Sequence, residues 1–593
     1  MHFLLFFSSL FLYVNAIDKS DVYTIAKQLR HQIKGYVFLR GSPDYETARP
    51  VHNGLCKNIY PLMIVKPINT EDVAHAVQTA VKFNIEISVR GGGHSYQCLG
   101  IKSNSMNIDL RSINEIEFYP ESLLVRFGAG VTWNDVLKVV DPDKYTVIHG
   151  NVSLFLKPVP KAINNTFLSY TQARNVGVGG YLLGVGVNPI GTTHRHGYGA
   201  DNVVQYKMVL ADGSIAIVED ETTTIIFRNG KRVREIYDHQ NVPNLRYALR
   251  AAGPSFGIVT EFLYKVYPHP ETLSCVVLVY LKTGKDLEKL VRAGQHGRYG
   301  LSIIQPVLFR RPKPAKWVKY FSEGILYLSA TYSIFQLAWL LIKAPEMVRW
   351  QDGKPVLPTI ISVVDLQSNT GRSPAKSALA FMKSFGLDVA LDNIGLYERF
   401  NLDKINLAVE DQEAIYMTHD EMKQEGFHAI TSANYNGLYS YKPLEDIFLY
   451  DPDFGMHNRK PPQNGPNDGC DFCLWFLVIM KQGVHDDVIQ DTKIGPLSWG
   501  LDCTYNANDY AKSRNCQAKI KRVRKKFVKY ARKYGETPRQ YVNTPAGCRE
   551  DHFYDFGDRF WGDSYSRLKE IKEYWDPQNV FRYCNSVGSQ SDH

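Results

Sequence analysis

The sequence predicts a mixed helix-and-sheet protein with more than one domain. The chain has 593 residues, which is too long for a single small module at about 150 residues per domain. Between residues 60 and 266, short apolar runs rich in β-branched residues alternate with stretches of helical periodicity. Glycine (44) and proline (29) occur at ordinary frequency, which excludes collagen-like, low-complexity and wholly disordered chains.

The strand and helix order in the first third of the chain is typical of a nucleotide site. A run from Ile85 to Val89 predicts a strand that leads into the loop Arg90–Tyr96. The remaining predicted elements of this region are a strand at 64–67, a helix capped by Asn69 or Thr70, strands at 107–110, 124–127 and 203–210, and a helix at 133–140.

Two glycine clusters are candidate binding elements. Gly91, Gly92 and Gly93 follow the predicted strand, and consecutive glycine amides can converge on one anion, to which Arg90 adds positive charge. The second cluster covers residues 176–186. Neither has a third glycine where the dinucleotide fingerprint of the doubly wound fold requires one. The residues alone leave a phosphate-binding loop and an ordinary tight loop open, and they disfavour a Rossmann domain.

The charge distribution disfavours a polyanionic partner. A formal net charge of +9 is small for this length. The basic stretch from 519 to 533 contains apolar residues at gaps of three and four, which predicts a surface helix with a buried apolar stripe and a solvated basic face. That stripe consists of Ile520, Val523, Phe527, Tyr530 and Tyr534. Nucleic acid is therefore not an expected partner.

The first sixteen residues resemble a secretory signal peptide. An apolar run from Phe3 to Val14 is too short to span a bilayer, and small residues precede an expected cleavage after Ala16. Export would make the sequons at Asn151 and Asn164 candidate glycosylation sites. The uncharged segment 325–342 is expected to be a partly buried helix, so no membrane span is predicted.

Nine cysteines suit a large exported protein with a few disulfide bonds. The spacing of Cys470, Cys473, Cys503 and Cys516 would also allow a zinc site. Disulfides are the better expectation in an oxidising compartment, so no metal site is predicted. The sequence leaves the pairing open, and the odd count leaves at least one cysteine unpaired if every bond is intramolecular.

Six blocks and a C-terminal tail, in this order, resemble one family. The blocks are Arg49–Asn53, Pro61–Pro67, Val89–Tyr96, Val176–Gly180, Arg195–Asn202 and Ala248–Thr260, and the tail contains Phe560–Leu568 and Tyr574–Phe581. They resemble the berberine bridge enzyme-like oxidases of the vanillyl-alcohol oxidase and p-cresol methylhydroxylase superfamily. The resemblance covers roughly residues 45–265 and 535–587, whereas the middle third matches only in general character.

The resemblance implies an α+β fold. It is the two-domain, FAD-binding p-cresol methylhydroxylase-type fold, with a substrate-domain sheet over the flavin and a C-terminal berberine-bridge segment. The implied boundaries are a signal peptide at 1–16, an FAD-binding domain at 17–268, a substrate domain at 269–534 and a segment at 535–593 that returns to the FAD domain.

The implied cofactor is FAD, joined covalently through His94. Many relatives form a second bond through a cysteine, but Ala173 stands at that position here. Alanine cannot form a thioether, so a second, cysteinyl link is not expected. The other residues implied to hold FAD are Arg90, Gly91, Gly92, Gly93, Ser95, Val176, Gly177, Gly179, Gly180, Gly257, Ile258, Val259 and Asn543.

The implied activity is hydride transfer from an alcohol-type substrate, a carbohydrate or another small molecule, to FAD. Relatives with valine at the position of Val176 tend to admit oxygen to the ring, which favours a secreted oxidase that releases hydrogen peroxide. Tyr541 is the candidate catalytic base, because the family's Tyr-x-Asn motif is Tyr541–Asn543 and Thr544 replaces a tyrosine found in many relatives. A threonine hydroxyl is too weak an acid for that role. A base in the middle domain, or none, stays open.

Two other functions stay open. One is a flavoprotein dehydrogenase with a non-oxygen acceptor, which would produce no peroxide under air. The other is a binding or storage protein on a catalytically decayed scaffold. Ala173, Thr544 and the pair Ala251–Ala252 depart from the family's pattern and are the features that suggest decay.

Overall fold

The structure is a computed structural model of the chain. It describes residues 19–95, 97–141, 144–149, 152–156, 168–173, 176–187, 196–268, 273–281, 283–296, 299–307, 349–351, 354–356, 359–365, 380–389, 428–432, 436–438, 440–446, 472–479, 497–506, 509–537, 539–543, 557, 560–583 and 586–588. The expected leader, both sequons, the segment 325–342, Thr544 and Cys470 lie outside the described residues.

Among the described residues, helices are interspersed with strands up to residue 268, and most of the elements after it are strands. The strands are β1 (Tyr36–Leu39), β2 (Met63–Lys66), β3 (Ile87–Arg90), β4 (Met106–Asp109), β5 (Ile116–Tyr119), β6 (Leu124–Gly128), β7 (Tyr145–Thr146), β8 (Val152–Leu156), β9 (Leu168–Ala173), β10 (Val203–Val209), β11 (Ile215–Val218), β12 (Thr222–Arg228), β13 (Lys231–Asp238), β14 (Ile258–Lys265), β15 (Tyr267–Pro268), β16 (Leu273–Val279), β17 (Tyr299–Val307), β18 (Arg349–Gln351), β19 (Lys354–Val356), β20 (Thr359–Asp365), β21 (His428–Ser432), β22 (Asn436–Leu438), β23 (Phe472–Ile479), β24 (Leu497–Asn506) and β25 (Arg539–Gln540). The helices are α1 (Lys19–Gln32), α2 (Pro43–Ala48), α3 (Thr70–Lys82), α4 (Trp133–Val140), α5 (Val178–Leu183), α6 (Leu245–Ala252), α7 (Gly284–Gln295), α8 (Lys442–Leu444), α9 (Tyr510–Lys533) and α10 (Ser564–Trp575).

A small sheet carries the first glycine loop. Its strand order is β1-β2-β4-β3, with β2 and β3 parallel to β4. Helix α3 connects β2 to β3, and the side chain of Asn69 caps it by accepting a hydrogen bond from Asp72 N at 2.8 Å. The strand predicted from Ile85 begins only at Ile87, because the Ile85 amide donates to Ala80 O and still belongs to the helix terminus.

The second sheet supports the opposite side of the same region. Within the described residues it is an antiparallel sheet in the order β13-β12-β11-β10-β14-β6-β5. The strands predicted at 124–127 and 203–210 correspond to β6 and β10, and α4 has the predicted bounds. Phe127, Trp133 and Phe262 lie fully buried between this sheet and α4. The aromatic and β-branched side chains of these strands therefore build the main core.

The third sheet belongs to the middle of the chain. In the described parts it runs antiparallel in the order β16-β20-β17-β23-β24-β22-β25, and β21 also pairs with β24. The last strand in this order, β25, is followed immediately by Tyr541. This connection brings the predicted base out of the third sheet toward the glycine loops.

Helix α9 agrees in part with the sequence prediction. Ile520, Val523 and Phe527 are buried, which confirms the apolar stripe. The basic residues are not all solvated, however, because Lys519 and Arg524 are buried as well. The prediction of a wholly solvated basic face was wrong at these two positions, which lie beside the stripe and share its burial.

The C-terminal segment packs into the core of the first domain. Phe560, Trp561 and Leu568 belong to the same hydrophobic cluster as the buried residues of the first two sheets. The buried Lys572 ammonium donates to Asp576 Oδ2 at 2.6 Å, Ser255 O at 2.6 Å and Phe581 O at 3.0 Å. We call these contacts the Lys572 clasp, and they fasten the end of the chain to the segment before β14.

Covalent bonds add to this framework. Cys56 and Cys98 form a disulfide with each other, and Cys503 and Cys516 each take part in a disulfide. Among the described residues, no helix is long and apolar enough to cross a membrane, and no three histidine, cysteine or acidic side chains cluster as a metal site would need.

Candidate functional site

The predicted site residues surround one cavity of about 330 Å³. They come from four distant parts of the chain, at 90–95, 176–180, 257–259 and 541–543. The cavity lies where the loop after β3, the start of α5, the start of β14 and the turn after β25 meet. Every residue predicted to hold FAD, as well as Tyr541, lines it.

The two glycine clusters touch backbone to backbone. A Cβ on Gly177 would lie 2.3 Å from the nitrogen of Gly92, closer than such contacts ever come. Gly93 has a φ of +74°, and a Cβ there would lie 2.8 Å from the Arg90 guanidinium. Only glycine fits both positions. The backbones of the two loops therefore lie in direct contact, and glycines of both loops line the cavity.

Arg90 places a cation beside the first loop. It is 6% exposed, and its Nη1 donates to Ala48 O. Its buried Nε has no hydrogen-bond partner among the described residues. Burial lowers the pKa of Arg90 to about 10, while nearby Asp109 opposes the shift. The guanidinium therefore stays charged at neutral pH, with one donor left for an anionic group.

Tyr541 and Asn543 hold the opposite end of α5. The Asn543 amide donates to Tyr181 O at 3.2 Å, to Gly184 O at 2.9 Å and to the Tyr541 hydroxyl at 2.9 Å. The Tyr541 hydroxyl also accepts from Val187 N at 3.1 Å. Burial raises the pKa of Tyr541 to about 12, and the N–H donors oppose the rise because they stabilise the phenolate.

Sequence reasoning missed Tyr181. This tyrosine lies in the second glycine cluster, lines the cavity and is buried, and burial raises its pKa well above the usual value. Its hydroxyl has no hydrogen-bond partner within the described residues. A buried phenol at a cavity wall is expected to meet a polar group of whatever fills the cavity. Its position inside a recognised glycine block was the available signal.

Sequence reasoning predicted that the segment 535–593 returns to the FAD domain, but it named none of the residues after Asn543 that line the cavity. Phe560, Phe581, Arg582 and Tyr583 all line the cavity. Phe560 and Phe581 lie in the blocks that resemble the family, but their spacing carries no information about the wall they complete. The Lys572 clasp holds this segment in place, because it binds the carbonyl of Phe581.

His94 lies on the cavity wall with a second imidazole behind it. The ring of His52 stacks on that of His94, with centroids 4.1 Å apart and planes 13° from parallel. His52 N donates to Gly93 O at 3.1 Å. His94 lines the cavity and His52 does not, so His52 backs His94 from outside.

These residues fit an FAD molecule. The paired glycine loops and Arg90 offer amides and a positive charge for a pyrophosphate. The apolar walls at Leu99, Ala129 and Ile258 suit ring systems. The buried Tyr181 hydroxyl offers an unused donor. Donors, charge and apolar surface together are what a dinucleotide with an aromatic head requires.

Comparison with known families supports this assignment at both ends of the chain. Residues 61–155 match the family model described as FAD binding domain, and residues 540–588 match the one described as berberine and berberine like. The chain has the berberine bridge enzyme-like fold. The two matches lie where the sequence blocks resemble this family, and they agree with the predicted fold class, which is confirmed.

Known relatives and solved structures agree. A FAD-dependent monooxygenase of Fusarium proliferatum is 30% identical over 209 residues, covering 35% of this chain and 32% of the relative. The glucooligosaccharide oxidase of Sarocladium strictum is 26% identical over 216 residues, covering 36% and 35%. The matched stretches thus span about a third of these relatives.

Among solved structures, a carbohydrate oxidase from Microdochium nivale has a TM-score of 0.63 at 17% identity, covering 95% of this chain and 99% of that one. The Physcomitrella patens BBE-like 1 structure gives 0.61 at 17% identity, covering 95% and 99%. At these identities, the similarity establishes the berberine bridge enzyme-like fold.

Proposed function

We propose that this protein is an exported FAD-dependent oxidase that removes hydride from an alcohol group of a carbohydrate or similar small molecule. The observation that carries the proposal is that two glycine loops, Arg90, His94 and Tyr541 line the same cavity. Relatives described as FAD-linked oxidoreductases and as a glucooligosaccharide oxidase support the class of reaction.

The chain's own residues divide the work between binding and proton transfer. The glycine loops and Arg90 bind the pyrophosphate, and His94 anchors the cofactor as its covalent ligand. FAD, when bound, supplies the acceptor for the hydride and returns the electrons to dioxygen. Tyr541 accepts the proton of the substrate hydroxyl, because it lines the cavity and its oxygen is surrounded by the Val187 and Asn543 N–H donors, which stabilise a phenolate.

The covalent link is tested by denaturation. Flavin should stay with the acid-precipitated protein, and a flavin-bearing peptide should contain His94. In His94→Ala, flavin should be released on precipitation and turnover should fall. Flavin that leaves the parental protein on precipitation contradicts the covalent assignment.

The substrate and acceptor are tested by oxygen uptake. The purified protein is screened against sugars, alcohols, amines and phenolics, and peroxide is measured in parallel. We expect oxygen consumption and peroxide with an alcohol or sugar substrate. Flavin reduction without peroxide under air would instead identify a dehydrogenase. Absence of flavin reduction by the whole panel would favour the decayed binding protein.

A further inference from the structure

The segments that carry the stacked rings of His52 and His94 are also linked by other contacts. His52 and His94 each stand four residues before a cysteine, at Cys56 and Cys98, and these cysteines form a disulfide. The His52 amide donates to Gly93 O. A covalent bond, a hydrogen bond and a ring stack therefore connect the same two segments within a few residues of His94.

The local backbone explains why this loop needs support. The Ser95 Oγ accepts hydrogen bonds from the amides of Gln97 and Leu99. Cys98 itself has a φ of +60°. These contacts are all short in range, so they do not fix the loop relative to the rest of the domain. The disulfide joins residues 42 positions apart in the sequence, and it therefore ties this loop to the distant segment of His52.

The segment of His52 leads into a capped helical turn. Asn53 is buried, and its side chain caps the short 3-10 helix Gly54–Asn58 by accepting from Leu55 N at 3.1 Å. Cys56 is buried within that helix. His52 directly precedes this capped turn, and its ring provides the surface on which the ring of His94 stacks.

We propose that the Cys56–Cys98 disulfide and the ring of His52 position the His94 imidazole for its covalent attachment to FAD. His52 is a positioning residue, because it touches His94 and does not line the cavity. The inference rests on the function proposed above, in which His94 is the covalent ligand. The stack limits rotation of the His94 ring, and the disulfide keeps the stack together.

The covalent step balances with dioxygen as the oxidant. One C–H bond of a flavin methyl group and one N–H bond of the imidazole are replaced by a C–N bond. The two protons and two electrons that are released convert dioxygen to hydrogen peroxide. The imidazole must approach the methyl carbon in one orientation, so restricting its rotation raises the rate of this step.

The experiment measures covalent and total flavin separately. Parental protein and variants are purified from the same host, and then incubated with excess FAD under air. At intervals the protein is acid-denatured, and flavin bound to the protein is compared with flavin released. Circular dichroism and total FAD content show whether each variant is folded and loaded.

The variants separate positioning from chemistry. His52→Ala removes the stack and should slow covalent attachment by about threefold to tenfold, the range expected for losing one ring pair. His52→Phe keeps a ring and should stay within about twofold of the parent. Cys56→Ser should resemble His52→Ala. Cys516→Ser is the matched control, since it removes a disulfide-bonded cysteine from helix α9, away from the cavity, and should attach flavin at the parental rate.

Each other outcome overturns the inference in a distinct way. Parental rates in His52→Ala and in Cys56→Ser would show that neither group positions His94. A defect in His52→Phe as large as that in His52→Ala would show that the His52 imidazole acts chemically. A parental protein that binds FAD but never attaches it would refute the covalent assignment itself, and this inference with it. A parental protein that binds no FAD would refute the proposed function.

Discussion

Adding one methyl group at Gly177 should disrupt the cofactor cavity while the fold survives. In Gly177→Ala, the new Cβ would lie 2.3 Å from Gly92 N and 2.6 Å from Gly92 Cα, whereas ordinary contact begins at 3.4 Å. The two backbones would therefore have to separate by about 1 Å. Backbone atoms cannot shift as easily as the end of a flexible side chain, so this close contact cannot be relieved by a rotamer change.

The displacement should fall on the first glycine loop. Hydrogen bonds fix the backbone on both sides of Gly177, because Trp133 N donates to Val176 O at 3.0 Å and Val178 N donates to Val131 O at 3.1 Å. Trp133 is fully buried in the core. Gly92 is the side that can move, and its movement displaces the amides proposed to bind the pyrophosphate.

The expected magnitude follows from the cost of overpacking. Strain of this kind costs about 1–3 kcal/mol, which corresponds to about a 5- to 150-fold loss of FAD affinity if it falls on the bound state. The affinity is measured by flavin fluorescence quenching in a His94→Ala background, where no covalent bond interferes. Thermal unfolding of the FAD-free protein reports the fold.

Gly180→Ala is the matched control for stability. Gly180 lies within helix α5, of which Gly177 is the N-cap residue, but a Cβ on Gly180 meets nothing within 4 Å. The FAD-free variant should be as stable as its parent or more stable by about 0.5–1 kcal/mol, because alanine is the better helix former. Parental FAD affinity in Gly177→Ala would refute the argument that contact between the two glycine loops forms the phosphate site.

Three further outcomes are expected. Because Tyr541 must lose its proton to act as a base and its pKa is raised to about 12, the rate of flavin reduction by substrate should rise with pH throughout pH 6–9. Tyr541→Phe should slow that rate by about a hundredfold or more and flatten the pH profile, and a parental rate would assign the base to another residue. Lys572→Met should lower the free energy of unfolding by about 3–5 kcal/mol, because it leaves buried Asp576 without its cation. The control is Lys569→Met, at an exposed position on the same helix, which should change the free energy of unfolding by less than about 0.5 kcal/mol. Equal effects of the two variants in denaturant titrations would show that the clasp is not stabilising. Four of the nine cysteines, all among the described residues, are disulfide-bonded. Thiol titration of the denatured protein without reductant should therefore find at most five free thiols, and nine would contradict the disulfides.

Local signals predicted much of the first domain. The cap at Asn69, the helix at 133–140 and the strand that leads into Gly91 depend on neighbouring residues, and the structure contains all three. The site residues at 90–95 and 176–180 stood out for a similar reason, because consecutive glycines are chemically conspicuous. The domain boundaries and the role of each site residue stay predictions.

The sequence alone did not predict contacts between segments that are distant in the chain. The stack of His52 on His94 joins residues that have no shared periodicity, and Tyr181 is one tyrosine among 36. The burial of Lys519 and Arg524 depends on what covers helix α9, not on the helix pattern itself. Such features follow from the three-dimensional arrangement of distant segments, which a single sequence does not report.

The Lys572 clasp has a consequence for the order of events during synthesis. Lys572 leaves the ribosome 317 residues after its partner Ser255, a delay of about 15–60 s at ordinary rates of translation. Throughout that interval the first domain lacks the aromatic residues that complete its core, and one wall of the cavity is missing. A nascent chain therefore exposes apolar surface that needs protection, and the finished cavity forms only after Tyr583 has emerged.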